Sequence, residues 1–372
     1  MSAGARFNGP LVTARSTPHV LTISPEQIDM SLIAIAAQSL RDGQLVAFPT
    51  ETVYGLGCNA LDERAIAKVF RAKGRPSSDP LIVHVDGLAM VETVIDGPLP
   101  ASARALADAF WPGPLTMILP RGPAVPLAVT SGLDRVAVRC PSHPVAAALI
   151  REAAIPVTAP SANRFNHISP TSAAHVIGDL GESIDVIIDS GRTQHGLEST
   201  VVALDGADLT ILRHGAITVE QLAQIQTITI VDDGTSVDSP SSPGHEKRHY
   251  SPHTPTIAVR AGVFAESAGF DTAQPVIFAG FTDRLPELSG AASFEPLGSI
   301  AALDRVAHDL YFELRRIDAL AGSAIVVELT GEPGLGRAID DRLTRAAGSV
   351  VVETADDLIT ALETALATRS DQ

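Results

Sequence analysis

Apolar and polar positions divide the chain into three stretches. From residue 25 to 231, short apolar runs alternate with segments whose apolar residues recur every three or four positions. The runs predict strands at Leu45–Phe48, Leu81–Val85, Leu115–Leu119, Val136–Arg139, Val157–Ala159, Val186–Asp189, Thr200–Leu204, Leu209–Arg213 and Thr227–Val231. The longer spacing predicts helices at Pro25–Asp42, Asp62–Lys73, Ala101–Phe110, Pro144–Ala153, Thr171–Leu180 and Val219–Gln224. Asp62, Thr171 and Thr218 stand where a side-chain oxygen would cap a helix, and Gly43 and Gly74 where helices would stop. These strands neither alternate strictly with helices nor form only hairpins. The expected fold is therefore α/β, a mixed, twisted sheet flanked by helices.

Residues 232–252 break the pattern with Ser, Pro, Gly and Asp, then a compact charged and aromatic segment, and read as a linker. Beyond it, 253–372 predicts strands at Thr256–Val259, Val276–Ala279 and Ile325–Leu329. Helices are expected at Ile300–Ala321, about Gly336–Ala347 and Ala355–Leu366. That alternation predicts a small Rossmann-like α/β domain. Gly334-Leu335-Gly336 precedes a helix, but Ile339 occupies the place of a third glycine, so dinucleotide binding is not expected there. Residues 1–24 read as a flexible tail.

The chain has 372 residues and a formal net charge of -16, of which residues 253–372 carry -9. With no basic run, direct nucleic-acid binding is disfavoured, because phosphate neutralisation needs clustered Lys and Arg. Cys58 and Cys140 lie far apart without a metal-binding spacing and read as buried free thiols. No signal-like leader or long apolar run is present, so a cytoplasmic location is expected.

Two clusters carry candidate chemistry. Lys73-Gly74-Arg75 sets two cations side by side after a helix, where the helix dipole alone would also favour them. Ser161-Ala162-Asn163, after Pro160, offers hydrogen-bonding groups and low bulk after a strand, or is a plain turn. Thr50, Glu51, Thr52 and Tyr54 follow the strand ending at Phe48, as a substrate rim or an ordinary polar turn. His84 interrupts an apolar run, as a core histidine or a substrate contact. Arg139 ends another strand, as a carboxylate grip or a surface ion pair. Glu198-Ser199-Thr200 and Arg213 repeat the theme. No phosphate-binding P-loop, zinc-protease or nucleophile-elbow motif occurs.

These runs also occur together, and in this order, in one known family. They are Phe48 to Leu56, Lys73-Gly74-Arg75-Pro76 with Pro80-Leu81-Ile82-Val83-His84, Phe110 to Thr116, Ala159 to Asn163, and Ser199 to Val202. The chain resembles threonylcarbamoyl-AMP synthases of the YrdC-like fold over about residues 28–225. Ser242-Pro243-Gly244 with Arg248-His249-Tyr250-Ser251-Pro252, and Gly334 to Ile339 with Arg342-Leu343, resemble the two-domain branch. His245-Glu246-Lys247 and His214 depart from that branch's usual residues.

The resemblance implies synthesis of threonylcarbamoyl-AMP and pyrophosphate from L-threonine, bicarbonate or CO2, and ATP. Mg2+ would arrive with the ATP phosphates, and downstream tRNA threonylcarbamoyl-transfer proteins would use the product. It assigns Lys73 and Arg75 to catalysis, and Thr50, Tyr54, His84, Arg139 and Ser199 to the threonine side. It assigns Lys73, Arg75, Pro160, Ser161, Asn163 and Arg213 to ATP, with Tyr250 and its linker as a lid. A carbamoyl-adenylate enzyme of the hydrogenase-maturation type shares a related fold but normally carries acylphosphatase-like and zinc-finger regions. An RNA-binding module is the other alternative, against which the acidic balance argues.

Overall fold

The computed structural model describes residues 17–225, 227–232, 249–266 and 270–370. Among these, eleven strands form the first sheet: β1 (His19–Thr22), β2 (Val46–Pro49), β3 (Tyr54–Asn59), β4 (Ile82–His84), β5 (Leu115–Pro120), β6 (Arg135–Arg139), β7 (Val157–Thr158), β8 (Val186–Asp189), β9 (Thr200–Asp205), β10 (Asp208–Arg213) and β11 (Thr229–Asp232). Their spatial order is β1-β8-β2-β3-β7-β4-β6-β5-β9-β10-β11. Parallel pairs such as β4–β6 and β5–β9 mix with antiparallel pairs such as β2–β3 and β5–β6. The mixed sheet flanked by helices matches the fold expected from the pattern.

Several elements differ from expectation, three of them between residues 19 and 59. The supposed tail contains β1, which pairs in parallel with β8 and buries Leu21 and then Ile23 against the helix Met30–Arg41. The periodic segment expected from Pro25 becomes helical only at Met30, where Asp29 accepts from Ser31 N. β3 is a strand rather than an open rim. Gly55 and Gly57 hide its apolar alternation, yet both are needed. A Cβ on Gly57 would lie 2.6 Å from Phe48 Cε1, so only glycine leaves room for the Phe48 ring to lie over β3. The capping expectations hold at Asp62, Thr218 and Gly74, whereas Ser172 rather than Thr171 caps the helix Ala173–Leu180.

The second sheet is parallel throughout. Its order is β16 (Ser293–Gly298), β14 (Val276–Phe281), β17 (Ala324–Glu328), β12 (Thr256–Val259) and β18 (Val351–Val352). β13 (Phe270–Thr272) and β15 (Leu288–Gly290) form a separate pair. Helices Leu303–Asp318 and Leu335–Ala346 cover one face, and Ala355–Ser370 the other. This is the Rossmann-like layout expected.

The two lobes share a core. Val53, Ile168, Leu197 and Tyr250 pack with Ala307, Leu310, Tyr311 and Leu314 of the helix Leu303–Asp318. Gly196 packs against that helix, where a Cβ would lie 2.2 Å from the His308 carbonyl oxygen. Arg192–Asp309 and Arg315–Asp179 add ion pairs across the seam at 2.8 and 2.6 Å. The expected linker motif at residues 242–248, with the departure at 245–247, lies outside the described residues. No helix among the described residues is long and apolar enough to cross a membrane.

Candidate active site

Strand register collects the charged strand ends at one end of the first sheet. His84 pairs beside Arg139, Thr116 opposite Arg139, and Arg213 opposite Val201. Each apolar run stops at its polar residue, so the side chains emerge where the ladder finishes. A cavity of about 50 Å³ opens there. Its wall includes Thr52, Arg75, His84, Arg139, Ser161, Glu198, Ser199, Arg213, His249 and Tyr250.

The loop after β7 is stitched to the start of β3. Leu56 N donates to the Pro160 carbonyl at 2.7 Å, Ala162 N donates to the Tyr54 carbonyl at 2.8 Å, and Gly55 bridges to Ser161. Lys73 completes the join. Its Nζ donates to the Ser161 and Asn163 carbonyls at 2.5 and 2.6 Å. The two clusters legible in the sequence therefore meet in space. Burial, helped by the neighbouring Arg75, pushes the Lys73 ammonium well below its ordinary value. Arg75 lines the cavity, pairs with Asp79 at 2.9 Å, and donates to the Pro80 carbonyl at 2.7 Å. Buried beside that carboxylate, it is a fixed rather than a mobile cation.

On the opposite wall, Arg139 Nη2 donates to Glu51 Oε1 at 2.6 Å and to Thr52 Oγ1 at 2.9 Å. Glu51 Oε2 accepts from the backbone N–H groups of Ser142 and His143, where the helix Pro144–Ala153 begins. Burial would raise the Glu51 pKa, but the Arg139 charge and hydrogen bond bring it below its ordinary value. His84 is driven down to about 3 by burial first and the Arg139 charge second, so it stays neutral near pH 7. Arg213 donates from Nε and Nη2 to the Ser199 carbonyl at 3.1 and 2.9 Å, and from Nη2 to Ser199 Oγ at 3.1 Å. Ser199 Oγ and Thr116 Oγ1 share a hydrogen bond of 2.8 Å.

Four buried polar atoms of the wall residues have no hydrogen-bond partner among the described residues: His84 Nδ1, Arg139 Nε, His249 Nδ1 and Tyr250 Oη. Orphaned buried polar groups are costly, and a bound ligand is one way to satisfy them. A wall bearing three guanidiniums, a neutral imidazole and hydroxyls suits an anionic, hydrogen-bonding substrate. Among the described residues, no group of three or more His, Cys, Asp or Glu could hold a metal ion.

A family profile described as "Telomere recombination" matches residues 38–215, and one described as "Threonylcarbamoyl-AMP synthase, C-terminal domain" matches residues 217–348. A threonylcarbamoyl-AMP synthase from Pyrococcus abyssi is 39% identical over 338 residues, covering 88% of this chain and 97% of the relative. One from Bacillus subtilis is 42% identical over 330 residues, covering 86% and 94%. The chain belongs to the threonylcarbamoyl-AMP synthase family. A crystal structure of Pyrococcus abyssi Sua5 complexed with L-threonine matches with a TM-score of 0.79 and 37% identity, covering 90% of this chain and 99% of that one.

The threonylcarbamoyl-AMP synthase motifs do not all reach the cavity. Arg75, His84, Arg139, Pro160, Ser161, Ser199, Arg213 and Tyr250 line it. Four other expected contacts do not. Thr50 donates its hydroxyl to the Val53 carbonyl at 2.7 Å and shapes the turn before β3. Tyr54 points away, donating to the Gly191 carbonyl at 2.7 Å, because strand alternation sends it to the other face. Lys73 donates to the Ser161 and Asn163 carbonyls. The Asn163 amide nitrogen donates to the Arg164 and His167 carbonyls at 2.8 and 2.7 Å, bracing the loop.

Three polar residues of the wall are not singled out as site residues by the sequence. Thr52 and Glu198 were noted only as members of polar segments, and His249 only as part of the linker motif. Glu51, which sets Arg139, was likewise only part of a rim. Its signal is the carboxylate between two threonines, but its partner lies 88 residues away.

Proposed function

We propose that the chain is an L-threonylcarbamoyladenylate synthase, using L-threonine, bicarbonate or CO2, and MgATP. The observation that carries this reading is the cavity wall itself. Arg75, Arg139 and Arg213 converge there with a neutral His84, and four buried polar atoms lack partners among the described residues. The family assignment supplies the substrate class, and the relative solved with L-threonine supports the amino acid.

In this reading the threonine nitrogen attacks the carbon of CO2 and loses a proton, giving a carbamate. A carbamate oxygen then attacks the α-phosphorus of ATP. The bond from that phosphorus to the bridging oxygen breaks, and pyrophosphate leaves. Attack by one anion on another is opposed by repulsion, and cations fixed in advance offset it without reorganising. Arg75 and Arg213 take the phosphate side, and Arg139, His84 and Ser199 the threonine side. Lys73 and Asn163 act through the Ser161 loop that they hold in place, and Thr50 and Tyr54 act through the backbone around β3. Mg2+ enters with the ATP phosphates as part of the substrate.

A cavity of about 50 Å³ cannot admit a nucleoside triphosphate. His249 and Tyr250 form part of its wall, and in this reading the segment 249–251 moves aside for substrate entry and returns afterwards. Closure would keep water from the carbamate and the mixed anhydride. The threonylcarbamoyl group then passes to proteins that place it on tRNA adenosine, and a cytoplasmic setting accords with that step.

The test is pyrophosphate release with each substrate withheld in turn and serine offered in place of threonine. Release that needs ATP, threonine and bicarbonate together supports the proposal. Release that ignores threonine or bicarbonate refutes it.

A further inference from the structure

The late C-terminal motif has no part in the chemistry above, yet its arginine reaches the cavity wall. Arg342 is fully buried in the helix Leu335–Ala346. Its Nε donates to Glu198 Oε2 at 2.8 Å, its Nη2 donates to the His214 carbonyl at 2.9 Å, and its Nη1 pairs with Asp341. Tyr311 Oη donates to the same Glu198 oxygen at 2.7 Å, and Ser169 Oγ donates to Oε1 at 2.6 Å. Glu198 lines the cavity.

A carboxylate in the wall of a cavity that takes a triphosphate repels it unless its charge is cancelled. Arg342 supplies the cancelling charge from the other lobe. Its guanidinium carbon also lies 5.1 Å from the centre of the Tyr250 ring, and that ring stacks on Tyr311 at 5.6 Å and 26°. His249 N donates to the Arg345 carbonyl at 3.2 Å, and Ser251 Oγ donates to the Ala346 carbonyl at 3.1 Å, one helical turn further along. An ion pair that only braced the interface would account for Glu198. It would not account for the cation over the Tyr250 ring or for the location in the wall.

We infer that Arg342 is a positioning residue for nucleotide binding. It neutralises Glu198 in the cavity wall and holds the Tyr250 ring against the cavity, so the C-terminal domain latches the segment 249–251. The inference rests on the proposed reaction for the identity of the nucleotide, but the latch itself does not.

The test uses the full chain in three variants. Arg342→Gln removes the charge. Arg342→Lys keeps it, with the ammonium near the former guanidinium carbon. Tyr311→Phe removes only the hydroxyl. Arg342→Gln is expected to raise KM for ATP by about tenfold while kcat stays within about threefold, the signature of lost binding rather than lost chemistry. Amide exchange at residues 249–251, measured without ligand, rises by about tenfold, a local opening. Arg342→Lys is expected to lose less than Arg342→Gln in both readouts, since the pairing charge survives although the donor fork that also serves His214 and Asp341 does not.

Equal damage from Gln and Lys in folded proteins, or unchanged KM and exchange in Arg342→Gln, overturns the inference. If Arg342→Gln does not fold, Tyr311→Phe decides. A rise of about threefold in exchange at 249–251 supports the latch, since one hydrogen bond to Glu198 is lost, and no rise overturns it. If the parent releases no pyrophosphate, the exchange measurement still reads the latch, so the two ideas fail separately.

Discussion

Replacing Arg139 with methionine separates its structural work from its proposed role in binding. Arg139 and Glu51 are 5% and 2% exposed and lie 2.6 Å apart. The methionine leaves a buried carboxylate facing an apolar side chain. Its remaining donors would be the Ser142 and His143 amides at 3.1 and 3.4 Å. Breaking a buried pair from one side costs about 3–5 kcal/mol. The double variant Arg139→Met/Glu51→Gln removes the stranded charge and should recover about half of that loss. Threonine binding behaves differently, because both variants lack the guanidinium. Losing a charge-assisted hydrogen bond of about 1.5–3 kcal/mol weakens the complex by roughly 10- to 100-fold in each. Urea unfolding at pH 7 gives the stabilities, and calorimetric titration with threonine gives the affinities. The reasoning is refuted if the double variant is as unstable as the single, or if either binds threonine like the parent.

Other outcomes follow from the same geometry. Lys73→Met orphans the Ser161 and Asn163 carbonyls, costing about 1–3 kcal/mol for each that is buried, so urea stability and turnover should fall together. A variant that loses turnover at parental stability would assign Lys73 a direct contact instead. His84 binds its proton at about 3 when folded against an ordinary value of 6.5. The unfolded chain therefore takes up that proton first, and stability falls as pH drops from 6.5 toward 3. His84→Gln should flatten the urea-derived slope in that window, and an unchanged slope would exclude His84 as its source. Glu198 is held down at about 2, because Arg342 and Arg213 outweigh its burial, against an ordinary 4.5. Its contribution is complete above pH 4.5 and is lost as pH falls toward 2, so Glu198→Gln should lessen the acid sensitivity of the fold. Gly196→Ala places a Cβ 2.2 Å from the His308 oxygen at a φ of +70°. Amide exchange in the helix Leu303–Asp318 should rise, whereas unchanged exchange would mean the seam tolerates the methyl group.

How much was legible depended on how far each residue's partner lay along the chain. The runs ending at His84, Arg139 and Arg213 could be read because an apolar pattern stops at a polar residue, and strand ends form the cavity. The two-glycine strand Tyr54–Asn59 could not, since its alternation is missing where Phe48 fills the space. The resemblance puts Tyr54 on the threonine side, whereas strand alternation turns its hydroxyl to the Gly191 carbonyl. Lys73 was placed in the right neighbourhood. Nothing in a helix end, however, says that its ammonium will turn to the carbonyls of residues 161 and 163. Glu198 and Arg342 lie 144 residues apart and on different lobes, so their pairing leaves no local signal. The domain motif that holds Arg342 was visible as a resemblance, while its contact with the cavity required the fold.

The central claim is that one cleft brings an amino-acid carbamate to the α-phosphorus of ATP. Mass spectrometry of the nucleotide product made with carbon-13 bicarbonate and L-threonine tests it most directly. The account predicts an adenylate that carries threonine and a single carbon-13, formed in step with pyrophosphate. An adenylate of threonine without the labelled carbon, or ATP cleavage with no threonine in the product, would contradict it.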